Sequence, residues 1–331
     1  MAREAGVSLA TASRALNGST RRVRDDLRER VLRVAAELDY SVNAPAQAMA
    51  RGHTNVVGLL VHDIADPYFS HIATGVMRAA EEHQLVVTIV NTLRRPEKEL
   101  EYVSTLRGQR ACAVILTGSR VEDKASQERL QQELTAFEGA GGRVALVSQR
   151  RLTFDTVQLE NRAGARELAQ HLVQLGHRHF LALAGPREVL TSKDRLQGFR
   201  DGLARHAVAL PADRILHTEF TRDGGYDAMT RALDRGFTSG CVYAVNDVMA
   251  VGAMAACRDR GVRLPADVAI AGFDDIAMLR DVTPHLTTVR LPLEQIGAEA
   301  LELVMAPRAD HVRVRRIRGQ VVLRESTPDL G

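Results

Sequence analysis

Apolar residues along the 331-residue chain keep two rhythms, and the change between them divides it near residue 54. From Asn55 onward, short apolar runs alternate with amphipathic stretches. Val56–Val61, Leu85–Val90, Ala113–Leu116 and Val144–Val147 read as buried strands. The segments Phe69–Glu82, Glu97–Gly108 and Gln127–Gly139 between them carry helical spacing. A second set repeats the pattern, with strands at Phe180–Ala184, Cys241–Val245 and Val268–Ala271. Its helices fall near Arg162–Leu175, Asp194–His206, Gly224–Arg235 and Asp247–Arg260. Strands alternating with helices predict an α/β fold of parallel sheets joined by right-handed crossovers. Two such sets predict two doubly wound lobes, with ligands at the strand C-termini and a cleft that can close.

The first 54 residues follow the helical rhythm alone. Gly6 can take the positive φ that ends a helix sharply, and Ser8 can cap the next one through its hydroxyl. Ala5, Val7, Ala12 and Leu16 fall at spacings that pack two helices together, leaving Leu9, Ala10, Ser13, Arg14 and Asn17 outside. Two helices joined by a tight glycine turn make a helix-turn-helix, whose second helix enters the major groove of DNA. Arg14 can donate to guanine or phosphate, while Thr11, Ser13 and Asn17 suit phosphate or base edges. Gly18 ends that helix, and a third is predicted from about Asp25 to Asp39. Its Leu27, Val31, Val34, Ala35 and Leu38 would close a three-helix core. Asn43 to Gly52 follows, with a proline and a glycine at its ends. It reads either as a linker or as a short helix that forms once something stabilises it.

Charge sharpens this division. Residues 1–52 hold nine arginines against six acids, and the remainder is balanced at 35 basic and 35 acidic side chains. A small basic module on a neutral body fits a nucleic-acid binder, although an Arg-rich solvated helix face would look the same. The helix-turn-helix spacing decides for DNA. Cys112, Cys241 and Cys257 sit in apolar surroundings and cannot all pair, which fits thiols in a reducing cytoplasm. No run of about 18 apolar residues suggests a membrane span, and no apolar signal segment opens the chain.

The runs AGVSLATASRALNGS and LRERVLRVAAELDYSVNAPAQAMARG resemble the headpiece and hinge of the LacI/GalR family of bacterial transcription regulators. Further on, VGLLVHDIADPYFSHIATGV, LENRAGARELAQHLVQLGHRHFLALAGP, SKDRLQGFRDGL, VYAVNDVMAVGAM, DVAIAGFDDI and PHLTTVRLP resemble the family's sensor. The resemblance implies a three-helix headpiece at 1–40 and a hinge at 41–53. It places one lobe at 54–153 plus 285–311, and the other at 154–284 plus 312–331, with crossings near 153, 284 and 311. The helix around Leu293–Val304 would complete the first lobe. It also implies a recognition helix starting at Ser8, with Leu9, Ala10 and Arg14 facing bases. The hinge, with Asn43, Ala46, Met49 and Ala50, would lie in the minor groove, where Met49 stands in place of the usual leucine wedge. Relatives carry further residues before the position of Met1, so the first helix is expected to be short. A sensor with weakened DNA binding is the alternative that follows from this.

Carried over residue by residue, the effector site comprises Asp66, Phe69, Ser148, Arg195, Phe220, Asn246, Asp247 and Asp274. Acids, an arginine and aromatic faces suit a polyol such as a sugar. Asp247 could instead cap a helix, Phe69 could equally be core, and relatives more often carry an acid at Ser148. The implied partners are a pseudo-palindromic DNA operator, a small-molecule effector and a second copy in a homodimer, with repression as the outcome. No cofactor is expected. The sequence holds no G-x-S-x-G elbow, phosphate loop, H-E-x-x-H or C-x-x-C, so no enzyme is expected. His177 and His179 read as surface histidines rather than metal ligands. A periplasmic sugar-binding protein would share the two-lobed body but would lack the headpiece.

Overall fold

The computed structural model describes residues 1–17, 23–38 and 52–331. Gly18, Asn43, Ala46, Met49 and Ala50 lie outside the described residues, as does the side chain of Asn17. The chain forms two compact units, residues 1–54 and 55–331.

In the first unit, the chain begins with a single turn in which Ala5 N donates to the Met1 carbonyl at 2.9 Å. Gly6 then turns the backbone at φ +60°, a conformation costly for any residue with a Cβ. Ser8 caps the next helix, Leu9–Asn17, by accepting from Thr11 N at 3.1 Å. A second helix spans Asp25–Glu37. Ala5, Ala12, Ala15 and Val31 form a core so small that every methyl in it counts. Leu38 was expected to join it; instead it caps the helix and is 50% exposed. One turn past Val34, the helix has already ended and cannot aim that side chain inward.

The second unit opens with strand β1 (Val56–Val61) and continues with β2 (Val86–Asn91), β3 (Ala113–Thr117), β4 (Arg143–Val147) and β5 (Asp155–Leu159). Helices Pro67–Glu82, Pro96–Gly108 and Lys124–Gly139 connect the first four. These strands lie in the order β2-β1-β3-β4-β5, extended by β11 (Val314–Ile317), and all pair in parallel. The other lobe holds β6 (Phe180–Ala184), β7 (Ile215–His217), β8 (Gly240–Ala244) and β9 (Val268–Ala271) in the parallel order β7-β6-β8-β9. Strands β10 (Thr288–Arg290) and β12 (Gln320–Val322) pair antiparallel, and single bridges join residues 287 and 290 to 271 and 274. Helices on both faces bury the central strands, which explains continuous apolar runs such as Phe180–Ala184.

The lobe boundaries differ from the expected ones by several residues at each crossing. Strand β5 belongs to the first sheet, so the chain leaves that lobe after Leu159, not near 153. Residues 285–290 stay with the second lobe beside β9, and the crossing falls near Leu291 rather than 284. Strand β11 returns to the first sheet beside β5, so the last crossing follows Ile317 rather than 311. The reason is directional. A parallel strand delivers the chain to the cleft only at its C-terminal end, so each crossing waits for its strand to finish.

Helix Leu293–Met305 completes the first lobe by packing on Pro67–Glu82. The two backbones touch: a Cβ on Gly75 would lie 1.9 Å from the Glu294 carbonyl oxygen, and one on Gly297 would lie 2.1 Å from that of Ile72. Only glycines permit this approach, and it fixes the helix carrying Tyr68 and Phe69 at the cleft.

His177 is buried rather than on the surface, because Gly176 folds the chain under the C-terminal segment near Leu330; His179 is exposed.

Candidate functional site

Both sheets present their strand C-termini to one cleft between the lobes, with about 540 Å³ of empty space including the part open to solvent. In the first sheet the order β2-β1-β3-β4-β5 reverses direction at β1/β3, and an open α/β sheet binds ligands at such a switch point. His62 and Asp66 follow β1, Ser119 follows β3, and Ser148 and Gln149 follow β4. From the other lobe come Arg195, Phe220 after β7, Asn246 after β8 and Asp274 after β9.

Arg195 organises the second lobe's wall. It is 1% exposed, and its guanidinium lies 3.9 Å over the Phe273 ring. Nε donates to Asn161 Oδ1 at 2.9 Å, Nη1 to the Val245 carbonyl at 2.8 Å, and Nη2 to Asp274 Oδ1 at 2.7 Å. A guanidinium has five N–H donors, so donors remain beyond these three. Burial pushes the Asp274 carboxyl up to about 7, with Arg195 pulling the other way and Asp247 adding to the rise. Asp274 and Asp275 have φ of +121° and +57°, conformations that side chains other than glycine seldom adopt.

Asp247 explains how that loop is held, and it corrects an expectation. It does not line the cleft. It is fully buried behind the site, where Oδ1 accepts from Thr288 Oγ1 at 2.7 Å and Oδ2 from Ile276 N at 3.1 Å. Burial raises its pKa to about 6. The capping role considered for it falls to its neighbour: Asn246 Oδ1 accepts from Met249 N at 3.0 Å and caps Asp247–Asp259. Asp66 likewise caps Pro67–Glu82, accepting from Tyr68 N at 3.0 Å. Burial raises the Asp66 carboxyl too.

Seven of the eight expected residues therefore meet at the cleft: Asp66, Phe69, Ser148, Arg195, Phe220, Asn246 and Asp274. His62, Tyr68, Arg94, Ser119, Gln149, Asn161 and Thr191 join them and were missed. His62, Ser119 and Gln149 could have been found from position alone, since each lies within two residues of a strand's C-terminal end. Arg94 could not. It sits in a loop at φ +56°, reaches across to Phe220, and donates to its carbonyl at 3.4 Å.

The lobes are also tied directly across the cleft. Glu122 N donates to the Glu188 carbonyl at 3.1 Å and Leu190 N to that of Arg120 at 3.0 Å, forming a bridge around Val121 and Val189. Thr191 adds bonds to Ser119 Oγ and Gln149 Nε2 at 2.9 and 2.8 Å, and Lys193 pairs with Glu122 at 2.8 Å. Nearby in the first lobe, Arg120 grips Glu99 with two bonds of 2.8 Å, and His62 stands 3.7 Å from the same carboxylate. Burial opposes that charge, yet Arg120 and His62 hold Glu99 down at about 2.

On the first unit, helix Leu9–Asn17 turns Leu9, Ala10, Ser13 and Arg14 outward, with Leu9 82% exposed. Ser8 is exposed and Thr11 half-buried, their hydroxyls 2.9 Å apart. A bare leucine beside an arginine is a poor surface for water and a good one for a base edge with a thymine methyl.

Residues 1–43 match the model of bacterial regulatory proteins, lacI family, and residues 169–327 match a periplasmic binding protein-like domain. The HTH-type transcriptional regulator DegA of Bacillus subtilis is 32% identical over 90% of this chain and 87% of its own. The HTH-type transcriptional regulator GalR of Escherichia coli is 32% identical over 92% and 87%. The chain belongs to the lacI family of bacterial regulatory proteins. As a family member it is a DNA-binding transcription regulator under effector control. A solved complex of the transcriptional regulator CelR with cellobiose superposes with a TM-score of 0.73 at 28% identity, covering 98% of both chains. A lac repressor dimer bound to operator superposes with a TM-score of 0.83 at 24% identity, a likeness of fold. Among the described residues no helix is long and apolar enough to cross a membrane, and no three His, Cys, Asp or Glu could hold a metal ion.

Proposed function

We propose that this regulator is an operator-specific repressor whose effector is a polyol, a sugar, held between the lobes by Asp66, Asp274, Arg195 and Asn246. The observation that carries this is the unfinished hydrogen bonding around Arg195 and Asp274. Three guanidinium donors are committed, while Asp274 Oδ2 bonds to no group among the described residues. Adjacent hydroxyls of a sugar, each both donor and acceptor, complete such a set. Phe69 and Phe220 offer apolar faces for the C–H side of the ring. The cellobiose complex of CelR supports the same chemistry.

In this scheme two copies place two headpieces on a pseudo-palindromic operator in the cytoplasm. Effector in the cleft favours one angle between lobes, and that angle favours one spacing of the segments around Met49. The sensor residues act only by holding ligand and lobes, and no covalent step is involved.

Thermal-shift screening of sugars on the purified protein tests the ligand class: a shift with a polyol, abolished in Arg195→Ala, is expected. The reading fails if sugars give none while nonpolyol metabolites do. On the DNA side, Arg14→Ala should weaken operator binding by about 1–3 kcal/mol with little change on random DNA. Equal losses on both would make Arg14 a phosphate contact.

A further inference from the structure

A separate groove in the second lobe, with about 980 Å³ of empty space including the part open to solvent, runs between helix Leu190–Ala204 and strand β7. It shares no lining residue with the cleft. Lys193, Leu196, Gln197 and Arg200 recur at helical spacing, so one face of that helix forms a wall. Arg187, from the loop after β6, and His217, at the end of β7, also line the groove. Its charge is unbalanced. Arg187 and Arg200 are exposed and pair with no carboxylate among the described residues. His217 spends one ring nitrogen on the Gly185 carbonyl at 2.9 Å. The acids nearest in sequence, Glu188 and Asp213, do not line the space. Its single lining carboxylate, Glu122, comes from the other lobe and is bonded by Lys193 Nζ at 2.8 and 2.9 Å. Ser192, buried in the wall, stands in the first turn of the same helix, where the helix dipole favours an anion. Two guanidinium forks and an ammonium around one groove match the oxygens of a phosphate group.

We propose that this groove is a second ligand site, taking a small molecule that carries a phosphate group, and that its occupancy loosens the tie between the lobes. Lys193 is the shared element. Its ammonium either holds Glu122 across the lobes or turns to the phosphate, whose charge near −2 exceeds that of one carboxylate. A ligand that takes Lys193 releases Glu122, while the backbone bonds around Val121 and Val189 remain. The anion therefore shifts the balance of lobe angles without freeing the lobes from each other. Linkage makes the competition reciprocal: removing the charge of Glu122 must tighten the anion. None of this depends on what the cleft itself binds.

Calorimetric titration of the full chain with inorganic phosphate, pyrophosphate, glycerol phosphate and citrate, at an ionic strength held constant with chloride, tests this. A single equivalent of a phosphate compound should bind saturably and more tightly than citrate. Tighter binding of glycerol phosphate than of the inorganic ions supports a phosphorylated metabolite, and the reverse order supports free phosphate. Replacing both exposed arginines, Arg187→Gln with Arg200→Gln, should weaken binding by about tenfold or more. Lys193→Gln alone should weaken it too, and Glu122→Gln should tighten it by about threefold. Undiminished affinity in the double variant and in Lys193→Gln would place the anion elsewhere and overturn the site. Unchanged affinity in Glu122→Gln would overturn the coupling to the lobes. Citrate bound as tightly as pyrophosphate would overturn the phosphate assignment, and saturable binding of none of these probes would overturn the proposal entirely.

Discussion

Each lobe buries one arginine against one carboxylate, and the two pairs have opposite character. In the first lobe, Arg120 and Glu99 meet through two bonds of 2.8 Å, with His62 beside them. In the second, Asp274 receives a single 2.7 Å bond from Arg195, whose other committed donors go to Asn161 and the Val245 carbonyl. The carboxyl pKa values part accordingly. Burial opposes the charge at both sites, but Arg120 and His62 bring Glu99 to about 2, whereas Asp274 stands at about 7 with Asp247 and Asp66 repelling its charge. In the first pair both carboxylate oxygens are taken by Arg120, so that carboxylate has nothing left to offer a ligand and serves as scaffold. An unsaturated pair is costly in the empty protein, and a ligand that completes it recovers that cost as affinity.

The largest effect should therefore be on folding, in the first lobe. Glu99→Gln leaves Arg120 buried without its counter-charge, at a cost of about 3–5 kcal/mol in denaturant unfolding. Effector affinity of the folded variant should stay within about threefold of the parent, about 0.7 kcal/mol. Asp274→Asn inverts the pattern. Arg195 keeps the Val245 carbonyl and two side-chain amide oxygens, at 161 and 274, so stability should fall by less than about 2 kcal/mol. Affinity for the polyol should fall by about 2–3 kcal/mol, since a charge-assisted hydroxyl contact is lost. The comparison breaks if Glu99→Gln costs more affinity than stability, or Asp274→Asn the reverse.

The contrast between these pairs marks the limit of what could be read from sequence. Arg195 and Asp274 stand in stretches resembling a known family, so both were legible as residues lining the cleft. Glu99 and Arg120 were not, because they lie 21 residues apart, on the helix before β3 and on the loop after it, and only the folded turn of chain brings them together. Strands such as Phe180–Ala184 announced themselves through continuous apolar runs. Strand β11, with Arg315 and Arg316 at its centre, did not; it is an edge strand, and an edge tolerates charge. Missing it and β5 misplaced all the crossings near them. Asp247 shows a subtler limit. Its position after β8 was read correctly, but which way a buried carboxylate points depends on Thr288, 41 residues on.

Acidity should separate the pairs next. Asp274 has a raised pKa in the fold, so its contribution to stability is complete below about 4 and is lost as pH rises through about 7. Glu99 has a lowered one, so its contribution is complete above about 4.5 and is lost as pH falls toward about 2. Between pH 5 and 7 the Glu99 contribution is essentially complete while Asp274 titrates, changing stability by at most about 1.4 kcal/mol per pH unit for one proton. Asp247, raised to about 6, adds to that decline, and His62, which burial holds below its ordinary range, opposes it. Urea midpoints measured across that window should decline with pH in the parent and decline less steeply in Asp274→Asn. An undiminished slope in the variant would assign the titration elsewhere, with Asp247 at about 6 the first group to examine.

The smallest effect tests how the unsaturated pair is kept available. Asp274 is useful only because the backbone at Asp274 and Asp275 is held at φ of +121° and +57°. Asp247 holds it from behind, gripping Ile276 N and Thr288 Oγ1, and it touches no ligand. Thr288→Val keeps the shape of the side chain and removes one of those two bonds. With Asp247 less firmly placed, Asp274 should sample geometries that miss the polyol, at a cost of about 1 kcal/mol in affinity, or about fivefold. Thr288→Ser, which restores the hydroxyl, should recover it. A purely structural role would move stability alone and would not respond to the serine in a binding titration. Affinity that tracks the hydroxyl rather than the methyl makes Thr288 and Asp247 positioning residues, and places the origin of ligand recognition one layer behind the cleft.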